Sequence, residues 1–223
     1  MSGPGPTEAL LLASPLLGRG AGIAAADPAR DYEVYAEELA AIPGAVDKRR
    51  REFAAGRMAT RLALRELGAP AMAVPMGADR APIWPPGLLG TITHTGSACL
   101  AAVAWEGDLR LLALDLEEDS PLDPDLMPTI CTPAETAWLA GQDNPGHWAK
   151  LIFSAKECAY KAQYRISRTL FGFDTLHITL DTANGGFAAT FQSDVPGFRQ
   201  GHMLRGRFAT GYGLIVTAIA ETA

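Results

Sequence analysis

Residues 111–118, Leu-Leu-Ala-Leu-Asp-Leu-Glu-Glu, restrict the fold of this chain more than any other stretch. They begin as an apolar run and end in acids, the pattern of a buried strand that reaches the surface at its end. Side chains alternate between the two faces of a strand. Asp115 and Glu117 therefore share one face, and Leu116 turns back into the core. Two carboxylates about 7 Å apart on one face repel each other unless a cation sits between them. Mg²⁺, held by one or two carboxylates together with substrate phosphates, suits that geometry. A solvated acidic strand end is the alternative, and this stretch alone leaves both readings open.

Composition narrows the class. The 223 residues are 48% hydrophobic and 20% charged, which suits a soluble globular protein of one large domain or two small ones. A net charge of −6 argues against a general nucleic-acid or membrane-surface binder. It leaves room for a local basic patch that binds a phosphorylated small molecule. The three cysteines, Cys99, Cys131 and Cys158, are odd in number and form no CxxC, so neither a disulfide framework nor a zinc site is indicated. A reducing cytoplasm is the natural setting. No run approaches the roughly 18 apolar residues of a membrane span. Residues 9–18 are apolar but lack a basic leader, follow Glu8 and contain Pro15, so a first strand and turn is expected there rather than a signal peptide.

Residues 31–41 read as an acidic helix. After Pro43-Gly44, a second helix is expected from Lys48 to about Gly68, its apolar side carrying Phe53, Met58, Leu62 and Leu64. Basic residues fall at 48–51, 57 and 61. Arg49 and Arg57 are eight apart and can share a face. They form either a phosphate clamp or a solvated face partnered by Glu52. Arg80-Ala81-Pro82-Ile83-Trp84-Pro85 is a rigid loop leading into Thr91-Ile92-Thr93-His94-Thr95. On a short strand Thr91, Thr93 and Thr95 share one face, with Ile92 and His94 on the other. Hydroxyls, glycine amides and an imidazole together can hold phosphate oxygens. A further apolar strand is expected over 98–105.

Beyond the acidic strand, Thr132-Pro133-Ala134-Glu135 is a capping box with proline at the first helical position. The helix expected over 148–164 places Leu151, Ala155, Cys158 and Ala162 toward the core. Glu157 and Lys161, at i and i+4, share another face. Taken alone, that pair reads as a surface salt bridge. Strands are expected over 175–180, 187–191, 202–208 and 214–220, with a hairpin turn at Asn184-Gly185-Gly186. Strands that follow helices in this way give an α+β chain.

Together these motifs resemble the Sfp-type 4′-phosphopantetheinyl transferases, in the branch of the enterobactin-synthesis enzymes and their actinobacterial relatives. That family has an Asp-x-Glu strand followed by a helix reading Phe-(Ser/Cys)-x-Lys-Glu-x-x-x-Lys. Here the strand carries Asp115-Leu116-Glu117, and the helix reads Phe153-Ser154-Ala155-Lys156-Glu157-Cys158-Ala159-Tyr160-Lys161. The Lys-Arg-Arg-x-Glu-Phe…Arg element, the Arg-x-Pro-x-Trp-Pro loop, the Thr-His segment and Gly172-Phe173-Asp174 match as well. The resemblance runs from about residue 45 to the C-terminus. Two positions depart from it. Ala113 stands where a glycine is usual, and Met76 where some relatives carry a lysine, for which Arg80 is the candidate replacement.

The resemblance implies a pseudo-dimeric α+β fold, two similar α/β halves with coenzyme A between them. Residues 1–109 would hold the nucleotide and 3′-phosphate, and 110–223 the metal, the catalytic groups and the carrier contact. The halves would meet near residues 107–111. It implies transfer of 4′-phosphopantetheine from coenzyme A to a serine of an apo acyl or peptidyl carrier protein, with 3′,5′-ADP leaving. Asp115, Glu117 and Glu157 would hold Mg²⁺. Lys156 and Lys161 would bind phosphate oxygens, and Arg49, Arg57 and His94 the 3′-phosphate and pyrophosphate. Thr93 and the loop from Arg80 would border the nucleotide. Glu157, assisted by Lys161, or a hydroxide on the metal would take the serine proton. A monomer is expected. A coenzyme A-binding protein without transfer activity and a Mg²⁺-dependent phosphohydrolase are the competing classes.

Overall fold

The computed structural model describes residues 3–40 and 42–223. A first helix, α1 (Pro6–Leu17), precedes strand β1 (Ala21–Ala26). The strand expected over 9–18 is therefore a helix. Pro6 opens it with a preset φ, and the Glu8 side chain accepts the Gly5 N–H at 3.0 Å. Ala9, Ala13, Leu16 and Leu17 then recur on one buried face. Pro15 sits in the last turn, where its missing N–H costs the helix one bond, to the Leu11 carbonyl, and the Pro15 carbonyl accepts from Arg207 at 2.8 Å. The acidic helix expected over 31–41 is only α2 (Ala36–Leu39), and Ala41 lies outside the described residues.

The basic helix is α3 (Asp47–Glu66). It lies directly on β1. A Cβ at Gly22 would meet the Ala63 carbonyl at 2.2 Å, so glycine is what permits the approach. Strands β2 (Leu88–His94) and β3 (Cys99–Trp105) complete an antiparallel sheet of order β1-β3-β2. Strand β4 (Leu109–Glu118) starts the second sheet, of order β4-β8-β7-β6-β5, with β5 (Leu176–Asp181), β6 (Gly186–Phe191), β7 (Met203–Gly211) and β8 (Leu214–Thr222). The hairpin turn expected at Asn184-Gly185-Gly186 is present, and a second joins β7 to β8. Gly185 has φ 65°, and Tyr212-Gly213 has φ 54° and 75°, the left-handed pair that matches strand twist. Between β4 and β5 lie a short α4 (Met127–Ile130), α5 (Pro133–Leu139) and the long α6 (Pro145–Ser167). Thr132 caps α5 as its sequence indicates, with Glu135 reaching back to the Thr132 N–H at 2.6 Å.

Strand β4 divides two cores. Leu111 and Ala113 face one beneath α6, while Leu112, Leu114 and Leu116 face another shared with β3, β8 and α1. The two sheets touch along β2 and β4. There the Thr91 and Thr93 hydroxyls accept the Leu114 and Leu116 N–H groups at 3.2 and 3.1 Å. Side chains thus take the place of backbone pairing, and the sheets diverge into a cleft. Helix α1 reaches β8 and β7 while the β1 that follows it pairs with β3, so the N-terminal segment ties the two sheets together.

Candidate active site

Asp115 shares the α6 side of β4 with Leu111 and Ala113, four and two residues before it. It is only 3% exposed, so it is a buried carboxylate rather than a solvated strand end. Its Oδ2 accepts the Ser154 hydroxyl at 2.8 Å. Its Oδ1 accepts Lys161 Nζ at 2.6 Å and Thr93 Oγ1 at 3.3 Å. Ser154 is itself 2.9 Å from the Thr217 hydroxyl on β8. Glu117, one pleat on, is held by Lys150 at 2.5 Å. Burial raises its pKa and Asp115 adds to the rise, while Lys150 and Lys161 oppose it. Glu157 is half-buried on α6 and has no ion-pair or hydrogen-bond partner among the described residues. Burial raises its pKa first; Lys161 opposes, and Asp115 and Glu117 push it further up. The helical pair read as Glu157–Lys161 is thus not an ion pair, because Lys161 reaches across to β4. Burial works against the Lys161 charge, and Asp115 outweighs it, so the Lys161 pKa is raised.

Among the described residues no three of His, Cys, Asp or Glu converge tightly enough to hold a metal ion. The donor set nevertheless fits Mg²⁺ in its chemistry. It is all carboxylate oxygen, Asp115 pushes up the pKa of Glu117 and both push up that of Glu157, and Lys161 and Lys150 supply the compensating charge. Cysteine takes no part. All three thiols are free and buried, with Cys99 pushed up to about 12 and Cys131 to about 11, first by desolvation.

On α3, Arg57 is 5% exposed and stacked over the Phe53 ring at 4.2 Å. Burial lowers its pKa to about 10, with Glu38 opposing and Arg61 and Arg49 adding to the drop. Its Nε is buried with no hydrogen-bond partner among the described residues. Such an orphaned buried donor needs a partner that the protein's own side chains do not supply, a water or an ion. Arg49 is half-exposed and 3.7 Å from Glu52. The pKa of His94 is lowered, first by burial; Glu52 opposes, and Arg49 and Lys161 add to the fall. Arg49, Glu52, His94 and Lys161 thus lie in one electrostatic neighbourhood. Arg61, by contrast, is buried against Glu38 at 3.2 Å and the Tyr35 ring at 4.4 Å, which takes it out of any clamp. Beside Lys161 opens a cavity of about 290 Å³ that Arg80, Trp84 and Tyr160 help to line.

Residues 37–104 match the sequence model of the 4′-phosphopantetheinyl transferase N-terminal domain, and residues 112–211 that of the 4′-phosphopantetheinyl transferase superfamily. The chain belongs to that superfamily. It is 38% identical over 195 residues to the 4′-phosphopantetheinyl transferase Svp of Streptomyces mobaraensis, covering 85% of this chain and 79% of the relative. It is 36% identical over 200 residues to the transferase Npt of Nocardia iowensis, covering 85% and 90%. To PptT of Mycobacterium tuberculosis it is 33% identical over 193 residues, covering 82% and 84%.

Within this transferase fold, two of the expected coenzyme A contacts are committed elsewhere. Lys156 is 1% exposed, and its ammonium donates to Glu135 at 2.8 Å, to Ile130 O at 2.7 Å and to Phe173 O at 2.9 Å. All three of its donors are occupied. Lys156 ties α4, α5 and the turn after α6 together and has none left for phosphate. The Thr93 hydroxyl donates to Asp115 and accepts from Leu116 N–H, so it sets the position of Asp115 rather than bordering the nucleotide. Ser154 and Lys150 had no place in the reading from sequence. The signal for them was present: Lys150, Ser154, Glu157 and Lys161 recur at i, i+4, i+7 and i+11, a polar stripe one residue behind the apolar Leu151, Ala155, Cys158 and Ala162.

Proposed function

We propose that the chain transfers the 4′-phosphopantetheine group of coenzyme A to a serine of an apo acyl or peptidyl carrier protein, an activity of the holo-acyl-carrier-protein synthase type. The observation that carries this reading is the set of acids on β4 and α6, mutually repelling and compensated by Lys161 and Lys150, facing a cleft of basic side chains. Asp115, Glu117 and Glu157 would hold Mg²⁺. Bound there, the ion would supply neutralisation of pyrophosphate charge. Lys161 brings a second positive charge to the same place. Arg57, together with Arg49 and His94, holds the 3′-phosphate and pyrophosphate. Arg80 stands at the cavity beside Lys161, in the role of the lysine that Met76 replaces. Glu157 accepts the serine proton as the serine oxygen bonds to the β-phosphorus and the bridging P–O bond breaks, releasing 3′,5′-ADP. An acid with a raised pKa is better matched to that task near neutral pH than an ordinary carboxylate. Residues 1–109 form the donor-binding half and 110–223 the catalytic half. The protein works as a cytoplasmic monomer without a nucleic-acid partner; no described helix is long and apolar enough to cross a membrane.

The test is the mass of an apo carrier protein after incubation with coenzyme A and Mg²⁺. A gain of about 340 Da marks phosphopantetheine transfer. An unmodified carrier with coenzyme A consumed marks a hydrolase. An unmodified carrier with coenzyme A bound and intact marks a binding protein.

A further inference from the structure

The loop between α3 and β2 makes a tight turn. The Gly77 N–H donates to Ala81 O at 2.8 Å, and the Arg80 N–H to Gly77 O at 2.9 Å. Arg80 has φ 67°, left-handed backbone that a residue with a Cβ adopts only when its surroundings hold it there. Asp79 is what holds it. Its Oδ1 accepts the Ala81 N–H at 3.1 Å. Its Oδ2 accepts the Tyr164 hydroxyl from α6 at 3.0 Å, with Arg168 at 3.6 Å. One carboxylate thus shapes the turn and fastens it to α6, the helix that carries Glu157 and Lys161. Gly77 is part of the device, because a Cβ there would lie 2.6 Å from Asp79 Oδ1. The cavity on which this loop borders is lined by four cationic residues, Arg80, Lys161, Arg165 and Arg168, and by Asp79 as its one acid. An anionic ligand suits it, and the one acid is turned to the loop and to Tyr164.

We propose that Asp79 is a positioning residue for the donor: by bridging the Gly77–Arg80 turn to Tyr164 and Arg168, it sets Arg80 at the cavity mouth and the width of that mouth. This rests on the reading of the cleft as the coenzyme A site. Asp79 touches neither reacting atom. Its loss weakens capture of the donor and leaves the chemical step intact once the donor is saturating.

The test measures coenzyme A affinity by calorimetry, independently of transfer, alongside KM and kcat. Asp79→Ala should weaken coenzyme A binding and raise its KM by about three- to tenfold, the scale of a lost hydrogen bond or two, with kcat within about twofold. Gly77→Ala should shift affinity in the same direction by displacing the carboxylate. Asp79→Asn, which can still bond Ala81 and Tyr164, should recover most of it. Unchanged affinity and KM in Asp79→Ala overturn the proposal. So does a fall confined to the melting temperature or to kcat. Wild-type protein that binds coenzyme A without modifying a carrier counts against the transferase reading alone, and the affinity comparison still decides the role of Asp79.

Discussion

Glu157 is a half-buried carboxylate whose pKa lies above its ordinary 4.5, first because of burial and then because of Asp115 and Glu117. In the window between 4.5 and that raised value the folded state binds more protons than the unfolded state. Stability contributed by the group is present below the window and lost as pH rises through it. In metal-free protein kept in EDTA, Glu157→Gln should abolish that loss. The melting temperature of the wild type should fall relative to the variant as pH rises above about 4.5. Parallel melting curves across the series contradict the assignment. With metal and coenzyme A present, the same variant should lose about 10²–10⁴ in kcat while still binding the donor. Arg49→Ala and Arg57→Ala should weaken coenzyme A far more than its analogue lacking the 3′-phosphate, by about 1.5–3 kcal/mol if the charge-assisted bonds are to that group. Equal losses with both donors make the arginines structural. Lys156 behaves differently. Its removal leaves Glu135 buried without a counter-charge, so Lys156→Met should cost about 3–5 kcal/mol in a denaturant titration. Adding Glu135→Gln should recover part of that. In both variants the coenzyme A affinity of the folded protein should stay near wild type. Asp115 also carries more structure than a strand-end acid would, since removing it takes the ion partner from Lys161 and leaves the Ser154 hydroxyl with Thr217 alone.

At the scale of elements, Gly22 is the most exacting contact. Any side chain there drives the Ala63 carbonyl away and with it the helix that carries Arg57. Gly22→Ala should cost about 1–3 kcal/mol, as overpacking does, read from the same titration, and should weaken coenzyme A binding by displacing α3. A variant as stable and as tight-binding as wild type contradicts the close approach of α3 to β1. Helices α3, α5 and α6 and strands β2 to β8 were legible because each carries its own period, cap or turn. The apolar run before β1 was not. Its Pro15 reads as a break, and the packing of Ala9 and Ala13 against β8, some 200 residues away, leaves no local mark. The acids were legible as a same-face pair. The different fates of Lys156 and Glu157 follow from α-helix geometry, in which neighbouring residues point about 100° apart. A motif written along one line cannot show that one of them faces Glu135 and the other Asp115. The partners of Thr93 were equally hidden, since they lie on a strand of the other sheet.

At the scale of the molecule, two sheets part along β2 and β4. The seam is held by Thr91 and Thr93 rather than by a backbone ladder, and Asp115 lies where hydroxyls from β2 and α6 meet an ammonium from α6. Basic side chains from one sheet and its helix therefore face acids from the other. If this facing arrangement performs transfer, the mass of the carrier protein shows it. An apo carrier protein is incubated with coenzyme A and Mg²⁺ and either wild-type protein or Asp115→Asn, whose fold is checked by its melt. A gain of about 340 Da is expected with the wild type and none with the folded variant. An unmodified carrier with the wild type, or equal modification by both, would contradict transfer by this arrangement.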